Sequence, residues 1–89
     1  MSNMPVKIYG TANCSYCQKA KGLCREMKIG FVYVPIDEEG PLREEFKQLF
    51  PEARTVPQIL WDGEHIGGYN ELAAHIENLN IGNYGQGDL

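Results

Sequence analysis

The chain has 89 residues, of which 43% are hydrophobic and 22% are charged, and its formal net charge is −4. This composition excludes a disordered chain and a fibrous repeat, and the length allows one domain around a single core. No apolar run reaches the roughly 20 residues of a membrane span, and residues 1–5 lack the features of a signal peptide. Three cysteines are too few for a disulfide-stapled secreted scaffold, so we expect a cytoplasmic protein with no membrane partner.

The charges are unevenly distributed along the chain. Five of the eight basic residues lie in residues 1–30 with a single acidic residue, whereas the remainder of the chain is strongly acidic. A nucleic-acid-binding protein usually has a dominant basic surface, so we expect no nucleic-acid partner. One basic third in an acidic chain favours a small anionic ligand instead.

The first half of the chain alternates between strand and helix patterns. Apolar alternation over 6–9 predicts a strand that ends at Gly10, and helical spacing over 15–28 predicts a helix that Gly30 ends. A second apolar run, residues 31–36, predicts a strand. Gly40 and Pro41 then open a second helix. Its predicted apolar stripe is Leu42, Phe46, Leu49 and Phe50.

The second half predicts a hairpin and a last helix. Residues 58–61 and 64–67 flank Asp62-Gly63, a two-residue turn pair. Asn70 is the predicted N-cap of a helix whose inward residues are Leu72, Ile76 and Leu79. The glycines after Ile81 predict a flexible tail over 82–89, which leaves 1–81 as the domain.

The predicted order is β-α-β-α-β-β-α, an α/β fold. The first two strands should be parallel because a helix joins them, and the last two should be antiparallel because a tight turn joins them. We therefore expect a four-stranded mixed sheet flanked by three helices.

Two cysteines lie where the first strand meets the first helix. Cys14 is the predicted N-cap, where unpaired backbone N–H groups and the helix dipole favour a thiolate. Cys17 follows one turn later, from where it can attack a mixed disulfide at Cys14. The alternative is half of a zinc site, but only Cys24 and two histidines ten residues apart remain as ligands. Redox chemistry is the better interpretation, with Cys24 as a small buried side chain.

The polar face of the first helix allows two interpretations. At about 100° per residue, Lys21, Arg25 and Lys28 share the azimuth of Cys14. They form either a positive strip that leads to the reactive sulfur or an ordinary solvated face. Neither alternative is favoured by the sequence.

Two backbone features follow in the second half. Thr55-Val56-Pro57 precedes the third strand, and a cis proline there would leave the Val56 N–H and C=O free to pair with an extended substrate. Gly67-Gly68 ends the hairpin before the last helix, where a ligand backbone can approach closely and a carboxylate can bind.

As a set, the motifs resemble those of the glutaredoxin family, which has the thioredoxin fold. The resemblance runs from Val6 to about Leu79 and is carried by Cys14-Ser15-Tyr16-Cys17, by residues 53–58 and by residues 66–72. It implies a glutathione-dependent thiol–disulfide oxidoreductase with Cys14 as nucleophile and Cys17 as resolving thiol. It further implies a monomer whose partners are glutathione and disulfide-containing or glutathionylated proteins. The glutathione-binding residues that it implies are Tyr16, Arg54, Thr55, Val56, Pro57, Gly68, Tyr69, Asn70 and Glu71.

Two positions depart from the family's usual pattern. Thr11 stands where a lysine often contacts the glycine carboxylate of glutathione, which leaves Arg43, Lys19 and Arg54 as candidates for that contact. Ser15 stands where proline is usual. Some similar glutaredoxins with serine here hold a [2Fe–2S] cluster between two protomers. In this chain, Cys14 of each protomer and two bound glutathiones would supply the ligands. The simpler interpretation is that Ser15 is a tolerated residue of the first helical turn. No other metal is expected.

Two other functions stay open at this stage. One is a thioredoxin-like carrier reduced by a reductase protein, although Gly67-Gly68 and the missing tryptophan before Cys14 argue against it. The other is an iron–sulfur carrier that uses the same cysteine.

Overall fold

A computed structural model describes the backbone of residues 6–87 and the side chains of residues 6–79. Its elements follow the predicted order and confirm the fold class. None of the helices within this part of the chain has the length and apolarity to cross a membrane. In chain order the elements are β1 (Val6–Gly10), α1 (Ser15–Glu26), β2 (Phe31–Pro35), α2 (Pro41–Leu49), β3 (Gln58–Trp61), β4 (Glu64–Gly67) and α3 (Tyr69–Gly87).

The strands form one sheet in the order β2-β1-β3-β4. β1 pairs parallel to β2 and antiparallel to β3, so that Ile8 lies between Tyr33 and Ile59. The β3–β4 hairpin turns at Asp62 and Gly63, both of which have positive φ (54° and 85°), as a type I′ turn requires. The predicted parallel and antiparallel pairings are therefore confirmed, and β1 is a central, buried strand.

The core has two parts, one on each face of the sheet. On one face α1 and α3 cover Ile8 and Ile59 with Ala20, Cys24 and Leu72. On the other face Tyr9 is packed among the rings of Phe46 and Phe50, beside Val34 and Ile36. Both sides of β1 are thus fixed, which holds its carboxyl end, Gly10, in place beneath the start of α1.

The predicted apolar stripe of α2 is only half correct. Phe46 and Phe50 pack on Tyr9, but Leu42 and Leu49 are 43% and 47% exposed. Phe50 is the C-cap of α2 and has a non-helical backbone (φ −129°, ψ 66°), so its ring reaches Tyr9 from outside the helical stripe. Leu42 and Leu49 stay on the solvent side.

The ends of α1 and α3 also differ from prediction. α1 ends at Glu26, two residues early, because Lys28 takes a left-handed conformation (φ 59°) and the Ile29 N–H bonds the Cys24 carbonyl in a Schellman motif. α3 begins at Tyr69 rather than after an Asn70 cap, and it continues to Gly87. Glycine inside a helix costs only about 1 kcal/mol relative to alanine, so the glycines that predicted a tail beyond Ile81 do not end the helix. The division into 1–81 and 82–89 stays a prediction.

Candidate active site

Cys14 occupies the N-cap of α1, as predicted. Its backbone is extended (φ −106°, ψ 115°), and its Sγ accepts a hydrogen bond of 3.1 Å from the Cys17 backbone N–H. Its carbonyl meanwhile accepts the Gln18 N–H at 3.1 Å and starts the helix. The side chain is half-buried. The N-cap thus places this sulfur at the positive end of α1, where it accepts one of the N–H groups that the first turn leaves unpaired.

The loop before β3 lies against this sulfur. The Val56–Pro57 peptide bond is cis, as the sequence analysis considered, and the Val56 carbonyl oxygen is 3.6 Å from Cys14 Sγ. The sequence predicted that this carbonyl would be free for a substrate, whereas here it accepts a hydrogen bond from the Cys14 thiol. The contact places the 55–57 loop directly beside the predicted nucleophile.

Cys17 lies behind Cys14 and is fully buried. Burial is the main cause that raises the pKa of its thiol to about 11, and a hydrogen bond with Cys14 adds to the effect. Cys24, in the core, has its pKa raised to about 11 by burial alone. All three cysteines are free thiols in this structure. Cys17 and Cys24 are therefore buried thiols that resist ionisation, whereas Cys14 is half-buried.

This difference predicts selective alkylation. At pH 7.5 iodoacetamide should modify Cys14 alone, because a pKa of about 11 leaves roughly one in three thousand of the Cys17 or Cys24 thiols ionised. Peptide mapping by mass spectrometry measures the modified positions, and the denatured chain, which should react at all three cysteines, is the control. Modification of Cys17 or Cys24 as fast as Cys14 in the folded protein would contradict the geometry.

A groove of about 650 Å³ extends from Tyr16 and the 55–57 loop, which lies beside Cys14, to the start of α3. It brings together every predicted glutathione-binding residue except Arg54, which lines a neighbouring cavity of about 600 Å³ at the end of α2. The predicted residues that line the groove are Tyr16, Thr55, Val56, Pro57, Gly68, Tyr69, Asn70 and Glu71.

Glu71 closes the far end of the groove. Its Oε1 accepts the Gly68 N–H at 2.9 Å, so that the carboxylate caps the helix it belongs to. Gly67 has a φ of 116°, and a β-carbon there would lie 2.8 Å from the Glu71 Cγ. The Gly-Gly pair thus permits a close approach, here by a side chain of the same chain. A ligand in the groove therefore meets both the partial positive charge of the backbone N–H groups at the start of α3 and the negative charge of the Glu71 carboxylate.

Sequence reasoning missed one support of the 55–57 loop. Gln58 is almost fully buried; its Nε2 donates to the Thr55 carbonyl at 3.0 Å, and its Oε1 lies 2.7 Å from His65 Nε2. The side-chain amide thereby ties the loop to β4. A glutamine that opens an apolar strand right after proline was the available signal, because a buried amide must find partners.

The candidate cations have different surroundings. Lys19 Nζ lies 5.0 Å from the ring centroid of Tyr16 and 6.0 Å from that of Tyr69, at the rim of the groove. Arg43 instead donates to the Ile36 and Asp37 carbonyls and holds the β2–α2 loop. Arg43 is therefore not available to a ligand in the groove.

Two side chains of the basic face of α1 contact aromatic rings of β2. Lys21 Nζ is 4.2 Å from the ring centroid of Tyr33, and the Arg25 guanidinium is 5.6 Å from that of Phe31.

Among the described residues, no three His, Cys, Asp or Glu side chains are grouped to hold a metal ion. The structure therefore gives the [2Fe–2S] hypothesis no support.

Comparison with known proteins gives one consistent result. The glutaredoxin family model matches residues 6–66. Glutaredoxin 1 of Escherichia coli (strain K12) is 39% identical over 83 residues, which is 85% of this chain and 98% of that protein. The crystal structure of glutaredoxin 1 from Francisella tularensis complexed with cacodylate is 37% identical, with a TM-score of 0.70, over 83% of this chain and 93% of that one. A buckwheat glutaredoxin–glutathione complex shares the fold at 22% identity, with a TM-score of 0.71, over 86% of this chain and 72% of that one.

Proposed function

The chain belongs to the glutaredoxin family, and we propose that it uses glutathione to reduce protein disulfides and glutathione mixed disulfides. Its class of reaction is thiol–disulfide exchange. The observation that carries the proposal is the position of Cys14 Sγ, which accepts the Cys17 N–H at 3.1 Å and lies 3.6 Å from the Val56 carbonyl. Val56 in turn lines a groove that leads to the start of α3.

In the monothiol route the Cys14 thiolate attacks the glutathione sulfur of a glutathionylated protein. A Cys14–glutathione disulfide forms, and the protein leaves as a thiolate that takes up a proton. A second glutathione thiolate then attacks the glutathione sulfur of that disulfide and releases oxidised glutathione and the Cys14 thiolate. The sulfur of the second glutathione is oxidised and the protein sulfur is reduced, while the first glutathione sulfur stays in a disulfide throughout, so electrons balance.

In the dithiol route Cys14 attacks a protein disulfide and holds one protein sulfur as a mixed disulfide. Cys17 then attacks Cys14 Sγ, the protein leaves as a dithiol, and a Cys14–Cys17 disulfide remains. Two glutathiones reduce that disulfide and become oxidised glutathione. Cys17 lies one helical turn behind Cys14 with its N–H already on that sulfur, which supports this order of attack.

The groove suggests where each end of glutathione binds. The cysteinyl unit lies along Thr55, Val56 and Pro57 and meets Cys14, with the Val56 carbonyl exchanging its contact with the Cys14 thiol for one with the ligand backbone. The γ-glutamyl carboxylate lies on the backbone N–H groups at the start of α3, around Tyr69 and Asn70. Of the candidates for the glycine carboxylate, Lys19 at the groove rim and Arg54 in the neighbouring cavity remain.

The buckwheat protein of the same fold binds glutathione, which is consistent with this use of the groove. The partners we propose are glutathione and disulfide-containing or glutathionylated proteins. We also propose that the chain acts as a monomer in the cytoplasm, where its small, odd number of cysteines fits a reducing compartment.

A coupled assay separates this function from that of a thioredoxin-like carrier. With a glutathionylated peptide as substrate, we expect turnover that requires glutathione and continues with NADPH and glutathione reductase alone. NADPH consumption measures it, and omission of glutathione is the control. Turnover supported by thioredoxin reductase but not by the glutathione system would overturn the proposal in favour of the carrier.

A further inference from the structure

The sulfur of Cys17 and the hydroxyl of Tyr33 meet above the backbone of Gly10. A β-carbon placed on Gly10 would lie 2.5 Å from Cys17 Sγ and 2.5 Å from Tyr33 Oη, so both atoms converge on one point. The hydroxyl and the sulfur are therefore neighbours, and the Cys17 sulfur helps to raise the pKa of the Tyr33 phenol. Parallel pairing sets Tyr33 of β2 beside Ile8 of β1, and the length of the tyrosine carries its hydroxyl to the carboxyl end of β1.

Thr11 completes the surroundings of this sulfur. The Tyr33 hydroxyl donates to the Thr11 carbonyl at 2.7 Å. The Thr11 backbone and the Tyr33 hydroxyl both act to lower the pKa of the Cys17 thiol, against the larger raising effect of burial. A hydroxyl has one proton, which can rotate between two acceptors. Tyr33 can therefore donate to the Thr11 carbonyl while Cys17 is a thiol and turn its proton towards the sulfur once Cys17 is a thiolate.

We propose that Tyr33 is a positioning residue for the resolving step: its hydroxyl holds the Cys17 sulfur behind Cys14 and donates to that sulfur as it becomes a thiolate. The inference rests on the proposed function, because it concerns the second step of the dithiol route. The monothiol route does not use Cys17, so Tyr33 is not needed there.

The step is an exchange within one mixed disulfide. Cys17 gives up its proton, its thiolate attacks Cys14 Sγ, and the bond between Cys14 and the bound glutathione or protein breaks. The leaving sulfur takes the electron pair and ends with a proton. Cys17 is oxidised and the leaving sulfur is reduced. Cys17 is fully buried, so protein donors must replace the water that would otherwise stabilise its thiolate.

Tyr33 acts as a donor in this step and not as a base. Burial is the main cause that raises the pKa of its phenol, with the hydrogen bond to Cys17 second, so the hydroxyl keeps its proton. Three other ionisable groups face the pair within the described chain. Cys14 lies on α1, Asp37 on the loop after β2, and Lys21 Nζ is 4.2 Å from the Tyr33 ring centroid.

The test is Tyr33→Phe, which keeps the ring and removes the hydroxyl. Reduced protein is mixed with oxidised glutathione from pH 5 to pH 9 and quenched in acid, and mass spectrometry follows conversion of the Cys14–glutathione disulfide into the Cys14–Cys17 disulfide. The loss of one hydrogen bond to a charged sulfur should slow this conversion about tenfold or more. The pH at which conversion becomes fast should rise, and the glutathione adduct should accumulate.

Two controls separate this role from a general structural one. Tyr9→Phe removes a buried hydroxyl that bonds Glu45, away from both cysteines, and should leave the conversion within about twofold of wild type. Tyr33→Phe added to Cys17→Ser should leave monothiol deglutathionylation unchanged. An unaltered rate and pH profile in Tyr33→Phe, or an equal loss of the monothiol reaction, would overturn the inference. A wild-type protein that forms neither disulfide would instead overturn the proposed function.

Discussion

Cys14→Ser is expected to abolish every thiol–disulfide activity of this chain, whereas Cys17→Ser should retain the reaction with glutathionylated substrates. A serine hydroxyl cannot form the mixed disulfide, and no other thiol can replace Cys14 at the N-cap of α1, because Cys17 and Cys24 are buried. Cys17→Ser should lose the reduction of protein disulfides, because no second sulfur remains to displace the bound protein. The glutathione-coupled assay measures both activities.

Cys24→Ser is the control for this pair of variants. Cys24 lies in the core, so its replacement should lower the free energy of unfolding. It should retain both the reaction with glutathionylated substrates and the reduction of protein disulfides. Equal loss in Cys14→Ser and Cys17→Ser on a glutathionylated peptide would contradict the monothiol mechanism. Residual protein-disulfide reduction in Cys17→Ser would contradict the resolving role of Cys17.

Gly10→Ala should damage both stability and the dithiol route. The new methyl group would fall 2.5 Å from both Cys17 Sγ and Tyr33 Oη, so α1 or the Tyr33 side chain must shift. Overpacking of this kind typically costs about 1–3 kcal/mol of unfolding free energy. We expect a loss in that range by chemical denaturation, together with slower formation of the Cys14–Cys17 disulfide.

Gly22→Ala is the matched control for Gly10→Ala. A β-carbon on Gly22 meets nothing within 4 Å, and this residue lies inside α1. Alanine there should raise stability by about 0.5–1 kcal/mol, since it loses less conformational freedom on folding. If Gly10→Ala were as stable and as active as Gly22→Ala, the close contact above Gly10 would be wrong.

Local patterns made the order of elements and the site motifs predictable from the sequence. The Asp62-Gly63 pair specified the hairpin because a type I′ turn needs positive φ at both positions, which these residues tolerate. Cys14 could be placed at a helix start because strand alternation ends at Gly10 and helical spacing begins at Ser15. Both features depend only on residues that are close together in the sequence.

The features that the sequence missed depend on residues distant in the chain. Nothing local to Tyr33 indicates that its hydroxyl reaches Cys17, because that contact depends on the parallel pairing of β2 with β1. The link from Gln58 to Thr55 and His65 likewise needs the hairpin to be formed first. The exposure of Leu42 and Leu49 depends on the angle at which α2 meets the sheet, which periodicity alone does not fix.

The most direct test of the account is the identity of the sulfur that carries glutathione. Cys17→Ser protein is incubated with oxidised glutathione near neutral pH, and intact mass with peptide mapping locates the adduct. We predict one glutathione per chain, on Cys14, released again by added glutathione. An adduct on Cys24, or no adduct at all, would contradict the assignment of Cys14 as the nucleophile of a glutathione-dependent oxidoreductase.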